Sequence, residues 1–102
     1  MATPDQRIYD AAKAREVLEN EAYQRAFDDI RKEYTDAWMN SPARDVEARE
    51  KLYLMLQLTN KLQVTLEGMI ADGKQAGIQK EYEEQRLTQE RRVGLSNDLY
   101  SD

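Results

Sequence analysis

The sequence has no cysteine and no histidine among its 102 residues. The lack of cysteine excludes disulfides and thiolate metal sites, and it is compatible with an intracellular protein. The lack of both residue types excludes Ser-His-Asp and Cys-His catalytic arrangements, the Glu-x-x-His di-iron motif and the usual zinc sites. Neighbouring acids such as Asp28 and Asp29 point about 100° apart on a helix, so they do not converge on one substrate atom. We therefore expect no enzyme, no catalytic residue, no cofactor site, no metal site and no small-molecule substrate.

Positive charge and long apolar runs are also scarce. The 15 Lys and Arg are outnumbered by 20 Asp and Glu, for a net charge of -5. Nucleic acid is therefore expected as a partner only if oligomerisation arrays basic groups such as Arg86, Arg91 and Arg92 around a ring. No apolar stretch approaches the roughly 20 residues that cross a bilayer, and the first residues lack the features of a signal peptide. We expect neither a membrane protein nor a secreted one.

Only four glycines and two prolines interrupt the chain, and 34% of the residues are charged. This composition is typical of long helices with solvated faces. A first helix is predicted over about residues 4–39, because Thr3 can cap it, Pro4 suits its first turn and Gln6 completes a capping box. Its apolar stripe is weakest at Glu19–Glu21, where the helix is expected to bend or divide. Asn40, Ser41 and Pro42 then predict a turn over residues 40–44.

A second helix is predicted over about residues 45–72, capped by Ser41 or Asp45. Its apolar positions step by three and four residues, which is the heptad pattern of helices packed side by side. That stripe consists of Leu52, Met55, Thr59, Leu62, Leu66, Met69 and Gly73. Gly73 and Gly77 are expected to end or loosen the helix, which would complete a hairpin over residues 1–77. Residues 78–102 are predicted to form a charged helix, followed over residues 93–102 by a docking tail or a frayed end.

Two helices that touch along one seam cannot bury all of these apolar side chains. An isolated hairpin would be marginally stable at best, so the remaining surface is expected to pair with another subunit or protein. The predicted fold is therefore all-α: a long antiparallel helical hairpin with a charged C-terminal helix or tail, completed by oligomerisation or by a partner. The candidate interface residues are Phe27, Ile30, Tyr34, Trp38, Leu52, Met55, Leu62, Leu66, Met69, Leu95, Leu99 and Tyr100.

Thr59 of the heptad stripe and Trp38 of the first helix each have two interpretations. Thr59 is expected to donate back to its own helix, as threonine within helices commonly does. It could instead set the register of the seam as a polar layer. Trp38 is expected to cap the intramolecular seam, with an anchor in a partner pocket as the alternative.

The segments Leu18–Trp38 and Ser41–Ala76 resemble short helical proteins of tailed bacteriophages and prophages, often encoded near head and DNA-packaging genes. The shared pattern is Asn-Glu-Ala, Phe, Arg and Trp on the first helix, then Arg-Glu and a Leu-rich second helix that closes on Gly-Lys. The resemblance covers a little over half of the chain, and no catalytic residue is carried over from it.

The resemblance implies a coiled-coil protein of the infected host cytoplasm or of the virion, which binds neighbouring subunits or another phage protein in head assembly. One alternative is a small-terminase-like subunit that forms a ring and packages DNA. A further alternative is a phage inhibitor that occupies the surface of a host protein.

Overall fold

A computed structural model of the chain describes the backbone of residues 2–100 and the side chains of residues 2–92. It contains three helices, α1 (Pro4–Glu19), α2 (Glu21–Asn40) and α3 (Val46–Tyr100). No strand occurs within residues 2–100, so the predicted all-α class is confirmed. The molecule is extended, with dimensions of 88 × 27 × 17 Å and a radius of gyration of 24.1 Å. A compact domain of this length would have a radius of gyration of about 13 Å.

The first predicted helix begins where expected but is divided in two. The amide of Gln6 donates to Oγ1 of Thr3 at 3.1 Å, which confirms the cap. The side chain of Gln6 donates to Asp10 and not back to Thr3, so only one half of the capping box forms. Asn20 ends α1 and caps α2 by accepting a hydrogen bond from the Tyr23 amide at 2.9 Å. The division falls at Glu19–Glu21, where the apolar stripe is weakest.

The turn between α2 and α3 is held by local hydrogen bonds. The Ser41 hydroxyl donates to the carbonyl oxygen of Trp38 at 2.6 Å, which satisfies a free acceptor at the end of α2. Asp45 is the cap of α3, because its Oδ1 accepts from the Ala48 amide at 3.2 Å. Of the two predicted caps, the structure therefore uses Asp45.

The third helix does not end at Gly73 or Gly77, in contrast to the prediction. α3 runs for 55 residues without interruption, and it includes residues 93–100 of the predicted tail. A glycine inside a helix costs about 1 kcal/mol relative to alanine, which is too little to end a helix whose neighbouring residues favour it. The residues between the two glycines, Lys74, Gln75 and Ala76, are all good helix formers. Residues 101 and 102 of the predicted tail lie outside the described residues.

Small residues bring α1 close to α3. The apolar residues that are fully buried in the described chain are Ala11, Ala14 and Ala76, and Gly73 is buried beside them. A Cβ atom added to Gly73 would overlap the Cβ atom of Ala11 and would lie 3.2 Å from the carbonyl oxygen of Arg7. The two backbones therefore approach closely at Gly73, which explains why this position has no side chain.

Ion pairs hold the N-terminal end of α1 on α3. Arg7 donates to both carboxylate oxygens of Asp72, at 2.8 and 3.0 Å, and Lys80 lies 2.7 Å from Oδ1 of Asp5. Hydrogen bonding from Arg7 lowers the pKa of Asp72, and the Asp72 carboxylate raises the pKa of Arg7. The hydrogen bond to Asp5 raises the pKa of Lys80 in the same way. Both pairs thus favour the charged forms that join the two helices.

The contacts that α1 and α2 make with α3 occur in reverse order along α3. Asp5 meets Lys80, and Arg7 meets Asp72. Trp38, near the end of α2, meets Arg49 near the start of α3. As the chain proceeds through α1 and α2, its contacts on α3 move back towards residue 46. The part of α3 beyond Lys80, about 20 residues and about 30 Å long, extends past the start of α1.

Candidate protein-binding surface

The seam between α2 and α3 is built from large side chains that are only partly covered. Tyr23 and Phe27 stack on α2 with their ring centroids 6.0 Å apart. Both are half-buried, and no residue of α2 is fully buried. The Tyr23 hydroxyl oxygen is buried and has no hydrogen-bond partner among the described residues. A buried hydroxyl without a hydrogen-bond partner lowers the stability of the fold. The seam between α2 and α3 is therefore less favourable than the contact between α1 and α3.

The two sides of this seam differ in chemistry. On one side lies an apolar groove of about 400 Å³, lined by Tyr23, Ala26, Phe27, Ile30, Leu58, Thr59 and Leu62. On the other side lies a groove of about 660 Å³ whose lining includes Gln24, Asp28, Arg31, Asn60, Gln63 and Glu67. The second groove is polar and is suited to water, whereas the first exposes hydrocarbon.

The apolar groove belongs to a longer exposed strip, which we term the open face. Leu54 and Met55 extend the side of α3 that carries Leu58, because residues three and four apart lie on the same side of a helix. Every large apolar side chain of this strip is at least two-fifths exposed, and Leu58 is 67% exposed. The open face consists of Ala26, Ile30, Leu54, Met55, Leu58 and Leu62.

Arg49 closes the seam at the turn. Its guanidinium lies 4.7 Å from the centre of the Trp38 ring, a cation–π contact. The same group donates to the carbonyl and hydroxyl oxygens of Ser41, at 3.1 and 3.0 Å. Trp38 thus contacts its own chain, as expected, while one side of its ring faces solvent. The anchor role in a partner pocket stays a prediction.

The predicted interface residues fall into three groups. The half-buried ones are Phe27, Tyr34, Leu52, Leu66 and Met69. The exposed members are Ile30, Trp38, Met55 and Leu62. The side chains of Leu95, Leu99 and Tyr100 lie outside the described ones. A role in binding stays a prediction for all of them.

Thr59 lies in the seam and donates to the carbonyl oxygen of Met55 at 2.8 Å. Its hydroxyl is therefore satisfied within α3, as expected from its place in a helix. The alternative of a polar layer that sets register is not needed to explain this residue.

The prediction missed the small-residue contact of α1 with α3. A signal was present, because Ala11 and Ala14 lie three residues apart, as do Gly73 and Ala76. Such spacing places both small residues of each pair on one side of a helix.

The described residues show no grouping of three or more acidic side chains close enough to hold a metal ion. The described helices also lack a segment with the length and hydropathy needed to cross a bilayer. Comparison with protein-family models, with curated proteins and with solved structures finds no match.

Proposed function

We propose that the chain is a non-enzymatic protein–protein interaction module, an antiparallel helical hairpin whose open face docks against helices of another polypeptide chain. The observation that carries the proposal is the exposure of five large apolar side chains side by side. Within the described residues no large side chain is fully buried. A chain that leaves its apolar residues uncovered in this way gains stability when a partner covers them.

The energetics agree with this reading. Burying a whole Leu, Ile or Met side chain contributes about 1.5 to 3 kcal/mol, and about half of each side chain in the open face is exposed. Covering Ile30, Leu54, Met55, Leu58 and Leu62 would therefore contribute about 5 kcal/mol from this side of the interface. Apolar residues of the partner would add a similar amount, about 10 kcal/mol in total, which is comparable to the cost of association of about 4 to 15 kcal/mol.

We propose further that this docking serves assembly of a phage head or virion in the cytoplasm of the infected host. The support is the resemblance of Leu18–Trp38 and Ser41–Ala76 to phage proteins, together with the length of the molecule. An 88 Å rod with a binding face near one end suits contact between neighbouring subunits.

The small-terminase alternative receives less support from the charges. The basic groups of the C-terminal part of α3, such as Arg86, alternate with acids, and Arg86 is paired with Glu83 at 3.1 Å. DNA binding that weakens steeply with salt, shown by a ring of subunits, would favour this alternative. Stable binding to a single purified host protein would favour the inhibitor alternative.

The test compares two matched substitutions during phage production. Leu58→Glu places a charge on the open face, whereas Val64→Glu changes an equally exposed residue (64% against 67%) that lines the polar groove. We expect the tagged wild-type and Val64→Glu chains to be present in purified particles or assembly intermediates. The incorporated amount of the Leu58→Glu chain should be at least tenfold lower. Equal incorporation of both variants, or absence of every form from particles and intermediates, would contradict the proposal.

A further inference from the structure

We infer that the occupant of the open face is a second copy of this chain, related by a two-fold axis that runs parallel to the helices. In that arrangement α2 of each copy packs on α3 of the other copy, and the four helices form a bundle. The inference rests on the proposed function, because it names the partner of the same surface.

The first argument is that the open face is self-complementary in polarity. A two-fold contact uses the same patch from both copies, so every uncovered apolar side chain of one copy meets apolar side chains of the other. Ala26 and Ile30 of α2 form the smaller part of the strip, and the leucines and Met55 of α3 form the larger part. Pairing α2 with α3 of the second copy sets the smaller part against the larger part on both sides of the axis.

The second argument is the charge at the two edges of the open face. Asp29 and Glu33 follow Ala26 and Ile30 at helical spacing, so they border the face on the α2 side. On the α3 side Lys61 follows Leu58 by three residues and Glu50 precedes Leu54 by four, so this edge carries both charges. Lys51 precedes Met55 by four residues and Leu58 by seven, so it lies at the end of the face, in line with these side chains. All five charged residues are exposed. Among the described residues Asp29, Glu33 and Lys61 make no ion pair, and Lys51 makes one at 3.6 Å with Glu47 of its own helix.

These edges distinguish the two possible two-fold arrangements. An axis parallel to the helices sets the acidic α2 edge of one copy against the α3 side of the other copy, where Lys51 and Lys61 lie beside Glu50. An axis across the helices sets α2 against α2, so that the two acidic edges face each other. Opposite charges favour the first arrangement, and like charges disfavour the second.

The levels along the bundle also match. Ile30 shares its groove with Leu58, and Trp38 lies at the level of Arg49. An axis parallel to the helices keeps these levels in the second copy. Glu33 then lies within about one helical turn of Lys51 of the second copy, and Asp29 lies within about one turn of its Lys61. Lysine side chains are long enough to close that separation.

The first experiment measures self-association of the purified full chain by analytical ultracentrifugation. We expect a dimer at micromolar concentration, weakened at least a hundredfold by Leu58→Glu and less than threefold by Val64→Glu. Glu33→Lys and Lys51→Glu should each weaken the dimer by roughly three- to tenfold, and the double variant should recover most of the loss. A monomer at 100 times that concentration, roughly 100 µM, would overturn the inference, as would a double variant weaker than both single ones.

The second experiment distinguishes the two dimer arrangements by cross-linking. The chain has no cysteine of its own, so only the introduced cysteine reacts. Asp29→Cys and Lys61→Cys chains are prepared separately and treated with a short bis-maleimide. We expect cross-linked dimers only after the two variants are mixed, because α2 and α2 lie on opposite corners of the proposed bundle. Efficient cross-linking of the Asp29→Cys chain alone would show α2 on α2 and would overturn the inference.

The outcomes separate this inference from the proposed function. A monomeric chain whose Leu58→Glu variant still fails to enter particles would retain the docking face and replace the second copy by another protein. A dimer with the expected cross-links whose Leu58→Glu variant assembles normally would retain the bundle and remove the assembly role.

Discussion

The two segments that pack on α3 do so in opposite ways. α1 and α3 supply the fully buried side chains, Ala11 and Ala14 from α1 and Ala76 from α3, and Ala11 lies against Gly73 of α3. Ion pairs hold the N-terminal end of α1. α2 approaches through Tyr23, Phe27 and Trp38, and none of its residues is fully buried. Small residues let the backbones come close and complete the contact within one chain. Large residues hold the helices apart and leave hydrocarbon exposed on one side, which is why the binding surface lies beside α2 and not beside α1.

The largest expected effect is at the centre of the α2 seam. Phe27→Ala removes the ring that stacks on Tyr23 and lines both grooves, so we expect the free energy of unfolding to fall by about 3 kcal/mol. Leu87→Ala, on the part of α3 that no other helix covers, should cost under about 0.5 kcal/mol. Urea denaturation followed by circular dichroism measures both. Equal costs would mean that the α2 seam contributes nothing to stability.

A second substitution tests the close approach of α1. Gly73→Ala inserts a methyl group where the Cβ atom of Ala11 already lies, whereas Gly68→Ala meets nothing within 4 Å. We expect Gly68→Ala to stabilise the helix by up to about 1 kcal/mol and Gly73→Ala to lower stability by about 2 kcal/mol relative to it. Amide hydrogen exchange should show faster exchange in α1 for Gly73→Ala alone. If both variants gain stability alike, α1 does not pack at Gly73.

A third substitution should improve the looser seam. Tyr23→Phe removes the buried hydroxyl that lacks a partner and keeps the ring against Phe27. We expect the free energy of unfolding to rise by about 1 kcal/mol. Tyr9→Phe, at an exposed ring of α1, should change it by less than about 0.5 kcal/mol. A loss of stability in Tyr23→Phe would show that the hydroxyl has a partner in solution.

The smallest effect concerns acid. The pKa of Asp72 is lowered by its hydrogen bonds from Arg7, so it is lower in the folded chain than in the unfolded one. The stabilisation from this pair is therefore complete above the unfolded value, about pH 4, and is lost as the pH falls through the lower folded value. The protection of α1 amides against hydrogen exchange, measured relative to that of α2 amides, should fall below that pH. Asp72→Asn should remove this dependence, and a dependence that persists in the variant would assign it to another group.

Much of the fold could be predicted from local chemistry. The caps at Thr3 and Asp45, the turn at Asn40–Pro42 and the back-donation of Thr59 each follow from one residue and its neighbours in sequence. The predicted end of the helix at Gly73 was wrong, because the prediction used the low helix propensity of glycine and took no account of the contact with α1. In the structure the absence of a side chain there is required by α1, which lies more than 60 residues away in sequence.

The candidate surface was predicted only in part for a related reason. Leu52, Leu66 and Met69 of the heptad stripe are half-buried, but the stripe could not tell which of its sides α2 covers. Met55 and Leu62 belong to the same stripe and lie on the uncovered side. That choice depends on where α2 lies across α3, and it is set by contacts that no local pattern contains.

The part of α3 beyond Lys80 projects past the other two helices. In a pair with its axis parallel to the helices, both of these extensions project from the same end, and both interhelical turns lie at the other. Such a particle has two distinct poles, and whatever binds the extensions is held about 30 Å from the paired helices. Because a continuous helix sets this spacing, two partners bound at the two ends of the dimer would keep a constant separation.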